Sequence, residues 1–217
     1  MLFQNYPNIV YNHYRLGDVV KDKSHRNCIE GRELYYKLYP NSIATKYMKS
    51  TDEDKNYKLL TSIVKEYKPT LKPNENELVI HIRVGDIIDD TPYSVNQFLE
   101  KEIRWSGSLG GQPQDGGKDN YVKPLSYYER VVEEYKKTDI RKVVLVCGGC
   151  KGRFYVKSKE YIVRIKDFFE SNNYKVNVRF GETPDDDFVY MCRSKYFISG
   201  GGGFTTIVKD INSLIML

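Results

Sequence analysis

The sequence predicts an α/β protein: a mostly parallel sheet with helices on its faces, preceded by a short, partly helical N-terminal region. Three observations carry this. From residue 78 onward, apolar strand-like runs alternate with segments of helical spacing, the pattern of strands joined by helical crossovers. Two of those strands run into distinctive turns, His81-Ile82-Arg83-Val84-Gly85-Asp86 and Gly200-Gly201-Gly202-Gly203. The first turn also repeats an earlier segment. His13-Tyr14-Arg15-Leu16-Gly17-Asp18 has the same His-x-Arg-aliphatic-Gly-Asp order.

Residues 8–15 read as a short strand entering the first copy, and residues 30–39 as a helix. Residues 55–67 read as a second helix, because Leu59, Leu60, Ile63, Val64 and Tyr67 recur at helical spacing. Pro69, Pro73, Asn74 and Asn76 break that pattern and mark a linker. The expected boundary therefore divides an N-terminal region, residues 1–73, from a sheet domain, residues 74–217.

Within the second part, Leu78–Arg83 is a buried-type strand. Residues 104–120 form a long glycine-rich loop around Trp105, the only tryptophan. A loop of that length in a compact domain is either functional or disordered. Helix is expected over Pro124–Lys137, strand over Arg141–Cys147, helix over Lys159–Asn172 and strand over Lys175–Phe180. A short helix follows at Asp186–Ser194, then a strand at Tyr196–Ser199, the glycine turn, and the beginning of another helix over Phe204 to about Lys209. Right-handed crossovers would set the strand ends along one edge, so the two distinctive turns can share it.

Composition narrows the function. The 217 residues are 40% hydrophobic and 29% charged, as in an ordinary globular protein. Mean hydropathy is -0.58 and no apolar run approaches 18 residues, which argues against a membrane span. Met1–Val10 lacks a basic start followed by an apolar block, so no secretory signal is read there and a cytoplasmic location is expected. The net charge of +5 suits anionic small molecules, and no dense Lys/Arg run with interleaved aromatics points to nucleic acid. The 19 tyrosines fall largely in helical segments, which suggests packing. Of four cysteines, only Cys147-Gly-Gly-Cys150 has suggestive spacing. It follows a strand in mid-chain rather than opening a thioredoxin-like unit, and a zinc site would need a second pair.

The candidate chemistry is anion binding. An arginine at a strand end, such as Arg83, can grip phosphate or carboxylate through its planar fork, and open α/β sheets bind ligands outside the carboxyl ends of their strands. Gly85 lets the backbone turn closely, and Asp86 would orient Arg83 or a ligand hydroxyl. The same letters could equally staple a turn. His81 lies on the same strand face as Arg83; a ligand contact, a brace, a general base and a satisfied buried histidine all fit it. Gly201, Gly202 and Gly203 leave no side chains before a helix start, where free N–H groups favour an anion. Thr205 and Thr206 fit as caps, phosphate ligands or both. The spacing is neither a dinucleotide fingerprint nor a P-loop. Asp185-Asp186-Asp187 precedes a helix, where carboxylates suit the dipole better than a metal.

Taken together, His81-Ile-Arg83-Val-Gly-Asp86 and the later run from Asp187 through Phe204-Thr205-Thr206 resemble the donor-binding half of the fucosyltransferase superfamily, which includes the α-1,2, α-1,6 and protein O-fucosyltransferases. The resemblance spans roughly residues 78–217. It implies a Rossmann-like C-terminal half of the two-domain GT-B type, and no required metal or cofactor beyond the donor substrate. It implies that Arg83 binds the diphosphate of a sugar nucleotide such as GDP-fucose, that Phe204, Thr205 and Thr206 line the phosphate turn, and that Asp187 contacts the nucleoside. Two features depart from the family: four glycines precede the Phe-Thr turn, and the N-terminal region is short. The implied activity is sugar transfer to a glycan or other hydroxyl acceptor. Asp86 and, across a cleft, Asp18 are the candidate bases; the first copy, with His13 and Arg15, either lines the opposite wall and faces the acceptor or is a strand-end turn that repeats by chance. The alternatives are a non-catalytic module that binds a nucleotide or anionic glycan, and a redox protein built on Cys147 and Cys150.

Overall fold

The computed structural model describes residues 53–68, 71–101, 103, 121–147, 156–180 and 184–216. His13, Arg15, Asp18, the strand at 8–15, the helix at 30–39, the loop at 104–120 and Cys150 lie outside these described residues. The described elements run α1 (Glu53–Glu66), β1 (Glu77–Ile82), α2 (Asp86–Asp89), α3 (Val95–Glu100), α4 (Leu125–Tyr135), β2 (Lys142–Cys147), α5 (Val156–Ser171), β3 (Lys175–Phe180), α6 (Pro184–Cys192), β4 (Tyr196–Ile198) and α7 (Gly203–Met216).

The fold is α/β. The four strands form one all-parallel sheet in the order β3-β2-β1-β4. Ile80 is level with Leu145 on β2 and with Ile198 on β4. The chain therefore steps from β1 to β2 to β3 in one direction, then returns to lay β4 against the free side of β1. Such a reversal is the topological switch point of an open α/β sheet.

The central strands β1 and β2 form where the sequence concentrates Val, Ile and Leu, residues suited to a pleated surface buried on both sides, whereas the edge strand β3 buries only Val176 and Arg179. Leu78, Ile80, Ile82, Val143, Leu145, Cys147 and Val176 line one face and share a core with residues of α3, α4 and α5, among them Phe98, Tyr128, Tyr161 and Phe169. Val79, Val144 and Val146, on the other face, are buried as well. Three buried tyrosines are core members. The Tyr128 and Tyr161 hydroxyls lie 3.1 Å apart, and Tyr161 donates to the Lys123 carbonyl at 2.5 Å. Burial pushes both phenols above their ordinary range. Tyr174 packs edge-on against Phe169.

Helix ends follow local chemistry. Ser94 and Gln97 cap α3 reciprocally. Asn173 takes a left-handed conformation (φ 66°) beyond α5, and the Tyr174 amide returns to the Phe169 carbonyl at 3.1 Å. Helix α5 begins three residues earlier than its periodicity suggests, because a carboxylate from elsewhere caps it (below). Helix α7, whose beginning the sequence places over Phe204 to about Lys209, runs from Gly203 to Met216.

By compactness the chain divides into two units. One holds β1 to β4 with α2 to α5, and extends to Thr205; the other holds α1, α6 and most of α7. In the second, Arg193 closes the carboxyl end of α1, donating to the carbonyls of Val64, Lys65 (2.9 Å) and Tyr67 (2.7 Å). Tyr57 donates to Asp210 at 2.9 Å and Tyr67 to Asp186 at 3.2 Å.

At the amino end of the sheet, the buried carboxylate of Glu77 accepts from Lys142 Nζ at 2.7 Å and from Asn74 Nδ2 at 3.3 Å. The two partners are unequal, since the Glu77 side chain is 0% exposed and that of Lys142 is 27%. Lys142→Met takes the Nζ donor from a buried carboxylate, whereas Glu77→Gln releases an ammonium that water can reach. The first variant is expected to lose about 2 kcal/mol of stability and the second about half that, below the range for fully buried pairs because Lys142 is partly solvated. Urea denaturation of both variants measures the asymmetry.

Candidate functional site

Arg83-Val84-Gly85-Asp86 leaves the carboxyl end of β1, and Ser199-Gly200-Gly201-Gly202 leaves the carboxyl end of β4. The register that pairs Ile80 with Ile198 brings these segments out side by side. A methyl group on Gly200 would land on the His81 carbonyl oxygen and 2.8 Å from its Nδ1. The closeness of the two turns is thus a backbone-to-backbone contact that tolerates no side chain at residue 200.

The next two glycines have a different reason. Gly201 and Gly202 adopt φ +89° and +86°, a region that side chains disfavour. The Tyr121 ring also lies 3.2 Å from where a Gly201 Cβ would stand. Tyr121 is half-buried and is the first residue described after the long glycine-rich segment. In the sequence these glycines fit either a ligand's approach or a flexible tight turn. The structure shows that the His81 carbonyl at residue 200 and the positive φ at residues 201 and 202 already favour glycine, and the Tyr121 ring adds a tight contact at residue 201.

The loop is held internally. The Gly201 amide donates to Ser199 Oγ at 3.2 Å. Buried Thr205 donates its hydroxyl to the Gly201 carbonyl at 2.7 Å and to the Gly202 carbonyl at 3.3 Å. Thr205 Oγ1 thus spends its hydrogen on the loop. Gly203 opens α7, a 14-residue helix, so its first-turn amides and the positive end of its dipole sit at the loop. The Phe204 ring centroid lies 6.3 Å from that of His81. Thr206 is exposed.

His81 is buried, and its Nδ1 has no hydrogen-bond partner among the described residues. Burial first, and the Arg83 charge second, lower its pKa to about 3. The imidazole is therefore neutral at physiological pH, and a neutral ring is not poised as a proton relay there. Arg83 is half-buried, with its positive charge near the ring.

Asp187 is buried near the start of α6, in the unit that also holds Thr206. Among the described residues, no three His, Cys, Asp or Glu side chains are grouped to hold a metal ion. No described helix is long and apolar enough to cross a membrane. A groove of about 550 Å³ lies elsewhere, lined by Asn96, Leu99, Arg164, Asp167, Phe168 and Ser171 of α3 and α5. It includes none of the residues at the switch point, and chemistry places the candidate site at the paired turns instead.

Sequence reasoning missed three residues here. Tyr121 had no signal beyond its place at the end of a loop. Asp89 and Ser158 are hydrogen-bonded to each other, and Ser158 accepts from the Gly85 amide at 2.9 Å. Their one trace is that residues 148–155, Gly-Gly-Cys-Lys-Gly-Arg-Phe-Tyr, offer α5 no Ser, Thr, Asp or Asn as a cap.

No protein-family model matches the chain, and no curated protein matches it.

Gly200→Ala tests the close approach directly. The added methyl must push the β4 turn from His81, at an expected cost of about 1–3 kcal/mol. Thermal unfolding measures it, with Ser199→Ala as a milder neighbouring change.

Proposed function

We propose that the protein is a glycosyltransferase that moves a sugar, fucose in the first instance, from a nucleotide-diphosphate donor such as GDP-fucose to a hydroxyl acceptor. The observation that supports it is the pairing of the Arg83 turn with the glycine loop and α7 amino terminus at the sheet's switch point. One turn offers a guanidinium and the other offers backbone amides, two complementary ways to hold a diphosphate. The order of these motifs also matches the fucosyltransferase resemblance, and with it a GT-B-type donor half.

In the proposed reaction an acceptor oxygen attacks the anomeric carbon. The bond from that carbon to the diphosphate breaks, and the acceptor proton passes to a carboxylate, with Asp86 the candidate on this turn. Arg83 and the first-turn amides of α7 stabilise the charge growing on the leaving diphosphate, the kind of effect that is often the largest in catalysis. Neutral His81 packs beneath the turn and carries no competing charge.

Incubation with GDP-fucose and a panel of other sugar nucleotides, with an acceptor mixture, tests this by following free nucleotide. Release with one donor, undiminished by a chelator, is the expected result. Binding without release would point to a nucleotide- or glycan-binding module. No binding of any sugar nucleotide would sink both readings.

A further inference from the structure

The backbone of the Arg83 turn is held by groups that no role has yet claimed. The Gly85 amide donates to Ser158 Oγ at 2.9 Å. The Ser158 hydroxyl in turn donates to Asp89 Oδ2. The other carboxylate oxygen, Oδ1, accepts from the Lys157 amide at 3.0 Å. The Gly85 carbonyl accepts from the amides of Ile88 and Asp89 at 2.9 and 2.8 Å. Lys157 Nζ adds a bond to the Thr91 carbonyl at 2.6 Å. Both peptide groups of Gly85 are therefore fixed, one of them through a side chain 73 residues away.

The polarity of this chain is set by Asp89. A serine hydroxyl has one hydrogen and two lone pairs, while a carboxylate only accepts. Asp89 takes the hydrogen, which leaves a Ser158 lone pair to meet the Gly85 N–H. Ser158 is fully buried, so no water can substitute. An asparagine at residue 89 cannot serve both partners. Whichever way its amide turns, its NH2 faces either the Lys157 amide or the Ser158 oxygen. In the first case two donors meet. In the second the serine hydrogen is turned from its acceptor and towards Gly85.

We infer that Asp89 and Ser158 are positioning residues for the Arg83 turn: Asp89 orients the Ser158 hydroxyl, and Ser158 holds the Gly85 amide so that the guanidinium two residues earlier stands ready for an anion. This rests on the reading of Arg83 as the anion-binding side chain. It gives the closed amino end of α5 a purpose, since Asp89 fills it and leaves the α7 end of the same sheet edge for the ligand.

The test compares wild type, Ser158→Ala, Asp89→Asn and the double variant by two measurements at a temperature where all are folded. Amide hydrogen exchange reports whether Gly85 is held, and calorimetric titration reports the Kd for GDP. Each single variant is expected to speed Gly85 exchange selectively, relative to Val144 and Leu145 in the sheet, and to raise the Kd about tenfold, the equivalent of one lost hydrogen bond in a site. The double variant should be no worse than either single, because the two residues act as one chain. Gly85 exchange that moves only in step with the sheet amides would overturn the inference, since that is what plain destabilisation does. So would an unchanged Kd in both single variants. If wild type does not bind GDP, the sugar-nucleotide reading fails, and the exchange experiment alone decides whether Asp89 and Ser158 hold the turn.

Discussion

Arg83→Ala is expected to lower transfer from GDP-fucose by about 10²–10³-fold, the range seen when one preorganised donor to a developing charge is removed. The folded state should tolerate the change. Arg83 is half-buried and lies past the end of β1, so no strand pairing depends on it. Its removal also relieves a charge next to His81. Loss of activity with stability retained separates a ligand-binding arginine from one that merely staples a turn. Arg83→Lys sharpens the test. Lysine keeps the charge but loses the planar pair of donors, and it should recover only part of the rate if the diphosphate is held in bidentate fashion. Steady-state rates with saturating acceptor, alongside thermal unfolding of the same samples, check both points.

The second large effect is on stability below neutral pH. His81 has an ordinary pKa of 6.5 in the unfolded chain and one lowered to about 3 in the fold, chiefly by burial and then by Arg83. Between these values the unfolded chain binds a proton that the folded chain refuses. Stability is therefore full above pH 6.5 and falls as pH drops, by about 1.4 kcal/mol per pH unit for one proton, until the folded pKa near 3 is reached. Carboxylates add their own losses at the acid end, so the useful window is pH 6.5 to 5. Urea unfolding across it should show the slope in wild type and its absence in His81→Leu. An equal slope in the two proteins would mean that the imidazole is not held neutral.

The strands were readable because their composition leaves little choice. Leu78-Val-Ile-His-Ile and Val143-Val-Leu-Val suit a sheet buried on both faces and have no helical stripe. The small helices α2 and α3 were missed, since four and six residues are too few for periodicity to show. Ser94-x-x-Gln97 was nevertheless a legible capping box for α3. That the Arg83 turn and the glycine loop could share an edge followed from alternation and crossover hand. That β4 sits directly beside β1 did not, because strand order is decided by pairings between distant residues. The same limit explains the glycines. Their small size was plain in the sequence, but the His81 carbonyl that favours it at residue 200 and the Tyr121 ring in tight contact at residue 201 are 119 and 80 residues away. Asp89 and Ser158 were out of reach for the same reason, since each looks ordinary until the other is beside it.

The pairing of Leu78 with Tyr196 also has a consequence for biosynthesis. A nascent chain can lay β1, β2 and β3 together as soon as residue 180 clears the ribosome, and at that stage the Arg83 turn already has its brace from Ser158. The opposite wall does not exist until β4 and the start of α7 emerge. Contacts that span so much chain form slowly, because loop closure must precede their reward. Ligand binding should therefore appear abruptly and late in translation, after most of the sheet has gained protease resistance. A message cut before residue 199 would yield a partly ordered sheet with an arginine at its rim and nothing across from it.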